Sequence, residues 1–241
     1  MYAEAYRRGQ GRVVEFMDGR DVAITVPATP EWSALDVLRH ITGVSFDIVH
    51  RNFSDFASDE WTAEHLVLRS QMTVDDVIAE WNSIIEPAAL ILDRVESLDL
   101  PATIQSAAGT LSPKAIPAMA IGDLLHHEFD LRNAYGDTEG RDRLDVQFSA
   151  AGHVKSMRGN FSSNDLPTIR VEASDSGMGW DIGRGEPVAT LTSSSFELMR
   201  AIGGRRTRSE MAAMGWDGDA EPFLDHMTPR HLHIRDTSLR E

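Results

Sequence analysis

The feature that most constrains the fold is a helical recurrence of apolar residues, which runs through most of residues 3–135. Turn signals divide this stretch into about four long helices, a number typical of a helix bundle. The predicted spans are 3–17, a second helix that begins at Ser33 and ends near residue 56, a third that starts at Thr73, and 117–135. Pro87 predicts a kink in the third helix.

The sequence pattern changes after Gly140, where short runs of residues typical of β-strands alternate with Gly, Asp, Asn and Pro. The predicted strands are 146–148, 168–173, 179–182 and 188–191, and helical patterns return at 195–202, around 210 and at 222–227. We place a boundary near residues 138–143. The predicted fold class is therefore an all-α four-helix bundle over residues 1–140, followed by a small α+β domain over residues 141–241.

Composition narrows the functional classes. A formal net charge of −15, from 38 acidic and 23 basic residues, argues against binding to nucleic acid or to anionic membranes. We find no apolar stretch long enough to span a bilayer and no apolar leader, so we expect a cytoplasmic protein, monomeric or homodimeric. The chain has no cysteine, so any thiol chemistry must come from a cofactor.

One set of residues has the spacing of metal ligands. Asp123 and His127 are four residues apart on the fourth helix and share its face, while His40 lies on the second helix. Two imidazoles and one carboxylate suit Zn²⁺ or a related divalent ion. His126 could replace His127, but the four-residue spacing favours His127, for which Asp130 is a plausible hydrogen-bond acceptor.

The residues around these candidates resemble a known family. Trp32-Ser-Ala-Leu-Asp36-Val-Leu-Arg-His40 and Asp123-Leu-Leu-His-His127-Glu-Phe-Asp130-Leu-Arg-Asn-Ala-Tyr-Gly136 are similar to the two signature stretches of the mycothiol-dependent maleylpyruvate isomerase family. That family belongs to the wider DinB-like metal-binding superfamily. The resemblance implies a DinB-like four-helix domain, a small α+β domain, and zinc held by a histidine, a glutamate and a second histidine.

These ligands correspond to His40, Asp123 and His127, with aspartate in place of the glutamate. Aspartate is one methylene shorter, so the fourth helix must lie closer, a water must intervene, or the site is weaker. The resemblance also implies an arginine of the second domain near the active site. Arg205 is our candidate, with Arg206 as the alternative, and a guanidinium there would bind a substrate carboxylate.

The function that the resemblance implies is a metal-dependent enzyme with mycothiol as its thiol cofactor, which isomerises or S-conjugates a small electrophile such as maleylpyruvate. Two alternatives remain open: a thiol-independent metallohydrolase with Asp36 or Asp130 as base, and a non-catalytic metal- or ligand-binding module.

We interpret the remaining histidines as structural. His50 and His65 lie on or just after the second helix, His153 lies in the linker region, and His231 and His233 have the spacing of one face of a strand.

Overall fold

The computed structural model describes residues 2–229 and 231–241. The chain divides into two compact units, Met1–Asp137 and Thr138–Glu241, and each is described by itself. The first unit is mainly helical and the second contains helices around a four-stranded sheet. None of the described helices is both long and apolar enough to cross a membrane.

The described residues of the first unit, 2–137, form five α-helices and two short hairpins. The helices are α1 (Tyr2–Met17), α2 (Ala34–His50), α3 (Asp59–Leu68), α4 (Val74–Arg94) and α5 (Ile116–Ala134). The hairpins pair β1 (Thr25–Val26) with β2 (Thr29–Ser33), and β3 (Ile104–Ser106) with β4 (Gly109–Leu111). Helix α1 packs against α4 and α5, and α2 packs against α3, α4 and α5.

Helix α2 begins where the sequence predicts and ends earlier. The Ser33 side chain accepts a hydrogen bond from the Asp36 backbone, and the Asp36 side chain accepts from the Ser33 backbone, which forms a capping box. The helix ends at His50 because Arg51 adopts a left-handed conformation with φ 58°. The prediction of a helix to residue 56 was wrong, and the separate helix α3 was missed.

Helix α4 starts at its predicted cap, Thr73, and continues through Pro87 over 21 residues. Its Trp81 is fully buried and donates to Ser45 Oγ at 2.8 Å, while the Tyr6 hydroxyl lies 2.9 Å from the same oxygen. This buried network joins α1, α2 and α4, and it provides hydrogen-bond partners for polar atoms that would be costly to bury alone.

The second unit contains α6 (Leu144–Ser163), α7 (Ser195–Ile202) and α8 (Arg208–Ala212) with β5 (Ile169–Ala173), β6 (Gly179–Ile182), β7 (Ala189–Ser193) and β8 (Gly215–Asp217). The strand order is β6-β5-β7-β8, with β5 and β7 parallel and the outer pairs antiparallel. Three of the four predicted strands and the helix at 195–202 are confirmed.

The predicted strand at 146–148 was wrong, because these residues lie inside α6. Val146 is buried and Phe148 is exposed, whereas residues two apart on a strand would share one face. An apolar run of three residues is too short to distinguish a helix from a strand by its period. The helical pattern at 222–227 contains only a 3₁₀ turn, Leu224–His226, and residues 231–233 are not in a strand.

Candidate metal centre

Helices α2 and α5 bring three side chains together in the first unit. His40 Nε2 lies 3.6 Å from Asp123 Oδ1, and His127 Nε2 lies 3.6 Å from the same oxygen. One ligand atom from each residue lies within 4.8 Å of the other two. The four-residue spacing of Asp123 and His127 places both on one face of α5, and α2 supplies His40 opposite them.

The donor set fits a divalent metal in chemistry and in spacing. Zinc bonds of about 2.0–2.1 Å in a tetrahedron place neighbouring donor atoms about 3.4 Å apart. The two separations of 3.6 Å agree with this value. Two imidazole nitrogens and a carboxylate oxygen are also a donor set that zinc accepts.

Asp123 reaches the position that a longer carboxylate would otherwise fill. Its Oδ1 is equally distant from the two imidazole Nε2 atoms. A carboxylate one methylene longer is therefore not needed for close approach to both imidazoles, and direct ligation by Asp123 stays a prediction.

Burial keeps His40 in the form that binds metal. The side chain is only 4% exposed, and its desolvation lowers the pKa from 6.5 to about 4, against the opposing effect of Asp123. His40 is therefore neutral near pH 7, and only a neutral imidazole has a free lone pair for a metal.

Two tryptophans enclose the imidazoles. The Trp32 ring lies 5.3 Å from His40 and 6.1 Å from His127, measured between ring centroids, and Trp61 lies 6.2 Å from His40. Trp61 is buried and Trp32 is half-buried. These rings limit the access of water and lower the local polarity, which strengthens electrostatic interactions at the three donors.

The solved structures similar to this chain include the crystal structure of the mycothiol-dependent maleylpyruvate isomerase, with a TM-score of 0.59 and 12% identity. The match covers 85% of this chain and 88% of that one. A histidine-to-alanine mutant of the isomerase matches with a TM-score of 0.57 and 12% identity, over 84% of this chain and 88% of the mutant. No family model and no curated protein matches the sequence.

The chain shares the fold of the mycothiol-dependent maleylpyruvate isomerase. The likeness covers residues of both units, since neither unit alone amounts to 85% of the chain. At 12% identity it shows the fold, and the chemistry has to be argued from the side chains.

The positions of His126 and His127 distinguish the two adjacent candidates for the second imidazole ligand. His126 is buried but does not belong to the group of three, whereas His127 does. Asp130 Oδ2 lies 3.2 Å from His127 Nδ1, the ring nitrogen that points away from Asp123. Asp130 thus lies beside the nitrogen for which it was predicted as an acceptor, but the pair does not meet hydrogen-bond geometry, so its role as acceptor stays a prediction.

The sequence interpretation missed His65. It lies on α3 and is buried, and its Nδ1 is 3.2 Å from His40 Nδ1. We predicted His65 to lie on or just after the second helix, which was wrong, because it lies on the separate helix α3 that returns the chain to α2. A capping residue, Ser58, followed by two acidic residues was the available signal for that helix.

The carboxylates considered as hydrolytic bases are occupied elsewhere. Asp36 caps α2 and pairs with Arg39 at 2.9 Å, and it is not in the group of three. Asp130 is fully buried behind His127. Neither carboxylate is among the three converging donors, and the metallohydrolase alternative stays a prediction.

The two arginine candidates in the second unit differ in their partners. Arg206 is buried and binds Glu197 at 2.8 Å and Glu241 at 2.5 Å. Burial opposes its charge, but these carboxylates outweigh that effect and raise the pKa of Arg206. Arg205 is half-buried and donates to the Gly203 carbonyl at 2.8 Å.

His153 also differs from its predicted place. It lies on α6 rather than in a linker, and Nδ1 is 2.8 Å from the Ser149 carbonyl oxygen. Burial lowers the pKa of His153. The hydrogen bond to its own helix supports the structural role expected from the sequence.

Proposed function

We propose that this protein is a metal-dependent enzyme that uses mycothiol as its thiol cofactor to isomerise or S-conjugate a small electrophilic substrate such as maleylpyruvate. One observation carries the proposal: the convergence of His40, Asp123 and His127 within the fold of a mycothiol-dependent isomerase. We further infer that the four long helices form a DinB-like bundle and that zinc is the metal.

The donor set supports catalysis rather than a purely structural metal. Three protein ligands are typical of catalytic zinc sites, whereas structural sites usually have four. A divalent metal held by these residues would supply a Lewis acid that keeps a thiol ionised at neutral pH. Because the chain has no cysteine, that thiol must come from a cofactor or substrate.

The side chains of this protein hold and shield the reacting groups. His40 and His127 present Nε2 atoms, and Asp123 contributes the negative charge. We assign Arg205 to the substrate carboxylate because the family resemblance implies an arginine of the second domain there, and Arg206 remains the alternative. Isomerisation and S-conjugation both need an ionised thiol, and they differ in whether it remains attached to the product.

The test is an assay of zinc-loaded protein with mycothiol and either maleylpyruvate or a general electrophile such as monochlorobimane. We expect turnover of at least one of these substrates, and this turnover should require both zinc and mycothiol. His40→Ala and His127→Ala should abolish turnover and bound zinc, as measured by elemental analysis. His50→Ala is the matched control, because His50 lies exposed on the same helix as His40.

The outcomes separate the proposed function from its alternatives. Absence of turnover with either substrate would reject a thiol-dependent enzyme. Ester or amide hydrolysis without thiol would instead indicate a metallohydrolase. Stoichiometric zinc with no turnover would indicate a binding module.

A further inference from the structure

We infer that Asp47 and His65 form a positioning pair that orients His40 as a metal ligand, an inference that rests on the metal site of the proposed function. The three side chains form a continuous chain of close polar contacts. His65 Nδ1 lies 3.2 Å from His40 Nδ1, and His65 Nε2 lies 3.0 Å from Asp47 Oδ2. All three residues are buried.

The contacts assign one hydrogen to each ring. His40 directs Nε2 toward Asp123, so a metal there requires the His40 proton on Nδ1. That proton is donated to His65 Nδ1, which must then be an acceptor. His65 carries its own proton on Nε2 and donates it to the Asp47 carboxylate. Each donor thus meets one acceptor.

The backbone is built to admit the His65 ring. His40 and Asp47 lie seven residues apart on α2, which is two helical turns or about 10.5 Å along the axis. Gly43 lies between them, and a Cβ at that position would be 2.3 Å from His65 Cγ. Only glycine allows the imidazole to lie against α2 and bridge the two turns.

Further contacts fix the Asp47 carboxylate and the His65 ring. The Asn52 side-chain amide donates to Asp47 Oδ1 at 3.2 Å, which leaves Oδ2 directed at His65. The Trp61 ring packs on His65, with 4.2 Å between centroids and an interplanar angle of 70°. These contacts restrict rotation of the carboxylate and of the imidazole, as positioning requires.

The two histidines of the metal site are therefore supported differently. His127 has a carboxylate, Asp130, directly beside Nδ1, whereas His40 reaches the Asp47 carboxylate through an intervening imidazole. Groups that orient a metal-bound histidine typically contribute roughly 10- to 100-fold to metal affinity. His65 and Asp47 should act as one unit, because Asp47 contacts His40 only through His65.

The experiment measures zinc affinity of the full-length protein by competition with a chromophoric chelator. We expect Asp47→Asn and His65→Phe each to weaken zinc binding by roughly 10-fold or more. Asp47→Asn preserves side-chain shape, and His65→Phe keeps a ring against Gly43 without its nitrogens. Asp55→Asn is the control, since it removes the same charge from an exposed position.

A double variant separates positioning from general loosening of the fold. In the His65→Phe background, Asp47→Asn should cause no further loss of zinc affinity, because its only route to His40 is already broken. Additive losses would overturn the inference. Urea unfolding of each metal-free variant identifies any that fails to fold, and Asp47→Asn, as the mildest change, keeps the test decisive.

The outcomes also distinguish this inference from the proposed function. If wild-type protein binds no zinc, the metal site and the positioning pair are both rejected. If wild type binds zinc and both single variants bind it equally tightly, only the positioning pair is rejected. Nitrogen-15 chemical shifts of the zinc-loaded wild type give an independent readout, and a proton on His65 Nδ1 rather than Nε2 would contradict the assigned pairing.

Discussion

At the scale of single residues, the candidate site depends on burial as much as on ligand identity. His40 and His127 are both almost fully buried, and Asp123 is partly exposed between them. Burial keeps the His40 imidazole neutral and ready to bind metal, but it also makes the protonated form costly. The same side chain should therefore influence both metal binding and acid stability.

The pKa of His40 predicts a loss of stability in acid. Its ordinary value of 6.5 applies to the unfolded chain, and the folded value is about 4. Between these values the unfolded state binds more protons, so the free energy of unfolding falls as the pH drops from about 6.5 toward 4. At pH 5 the contribution is about 2 kcal/mol. Urea unfolding of the metal-free protein at pH 7 and pH 5 measures it.

His40→Gln is the control for that experiment, because glutamine does not titrate. Other groups also titrate between pH 5 and pH 7, so the informative quantity is the difference between wild type and variant. Equal pH dependence in the two proteins would show that His40 does not carry the effect.

Asp123 should be the most sensitive ligand to a change of charge. Asp123→Asn preserves the size of the side chain but replaces a negative oxygen between two imidazoles. We expect zinc affinity to fall by more than the roughly 10- to 100-fold typical of supporting groups. Asp123→Glu should keep or tighten binding. Chelator competition measures both, and unchanged affinity in Asp123→Asn would exclude Asp123 as a ligand.

At the scale of secondary-structure elements, close helix packing builds the site. Helix α3 is short, yet it carries His65 and Trp61, both of which contact the site residue His40. It can approach α2 closely because Gly43 has no side chain. The contact between these two helices is therefore where a small backbone change should have a large effect on the metal site.

Gly43→Ala tests this packing. The added Cβ would lie 2.3 Å from His65 Cγ, so the ring or α3 must move. We expect the free energy of unfolding to fall by about 1–3 kcal/mol, together with weaker zinc binding. Gly11→Ala on α1 is the matched control, since its Cβ would meet nothing within 4 Å and alanine favours a helix. Full zinc affinity in Gly43→Ala would contradict the packing argument.

In the second unit, a buried group of ions holds α7. Arg200 is fully buried and donates from Nε to Glu241 at 3.1 Å, and Arg206 binds the same carboxylate. Glu241→Gln removes the charge between two buried cations and should cost about 3–5 kcal/mol. Glu221→Gln alters an exposed pair with Arg208 and should leave the unfolding free energy nearly unchanged. Calorimetry compares them, and similar melting temperatures would contradict this role.

At the scale of the whole molecule, the residues of the candidate metal site all belong to one unit. His40, Asp123, His127 and the supporting His65 all lie within Met1–Asp137. A free zinc concentration of 100 times the dissociation constant would stabilise the folded state that binds zinc by about 2.7 kcal/mol. Its local effects should therefore be concentrated in the first unit.

Hydrogen exchange with and without zinc tests this expectation. Amides of α2, α3 and α5 should exchange more slowly when zinc is present, because opening these helices separates the ligands. Amides of β5, β6 and β7 should change little. Greater protection in the strands than in the three helices would place the zinc elsewhere.

The sequence by itself determined the elements with strong local signals. Ser33 and Thr73 each satisfy the first turn of a helix with a side chain, so the starts of α2 and α4 were predicted correctly. Ligand spacing on α5 was likewise predictable, because residues four apart share a face regardless of the rest of the fold.

Only the tertiary structure decided how His65 contributes. His65 and His40 lie on separate helices, so no period within one element relates them, and their contact requires that α3 return across Gly43. The reach of Asp123 was undecided for the same reason, since it depends on the distance between α2 and α5. Periodicity describes the faces of one element, whereas distances between elements follow from packing of the complete core.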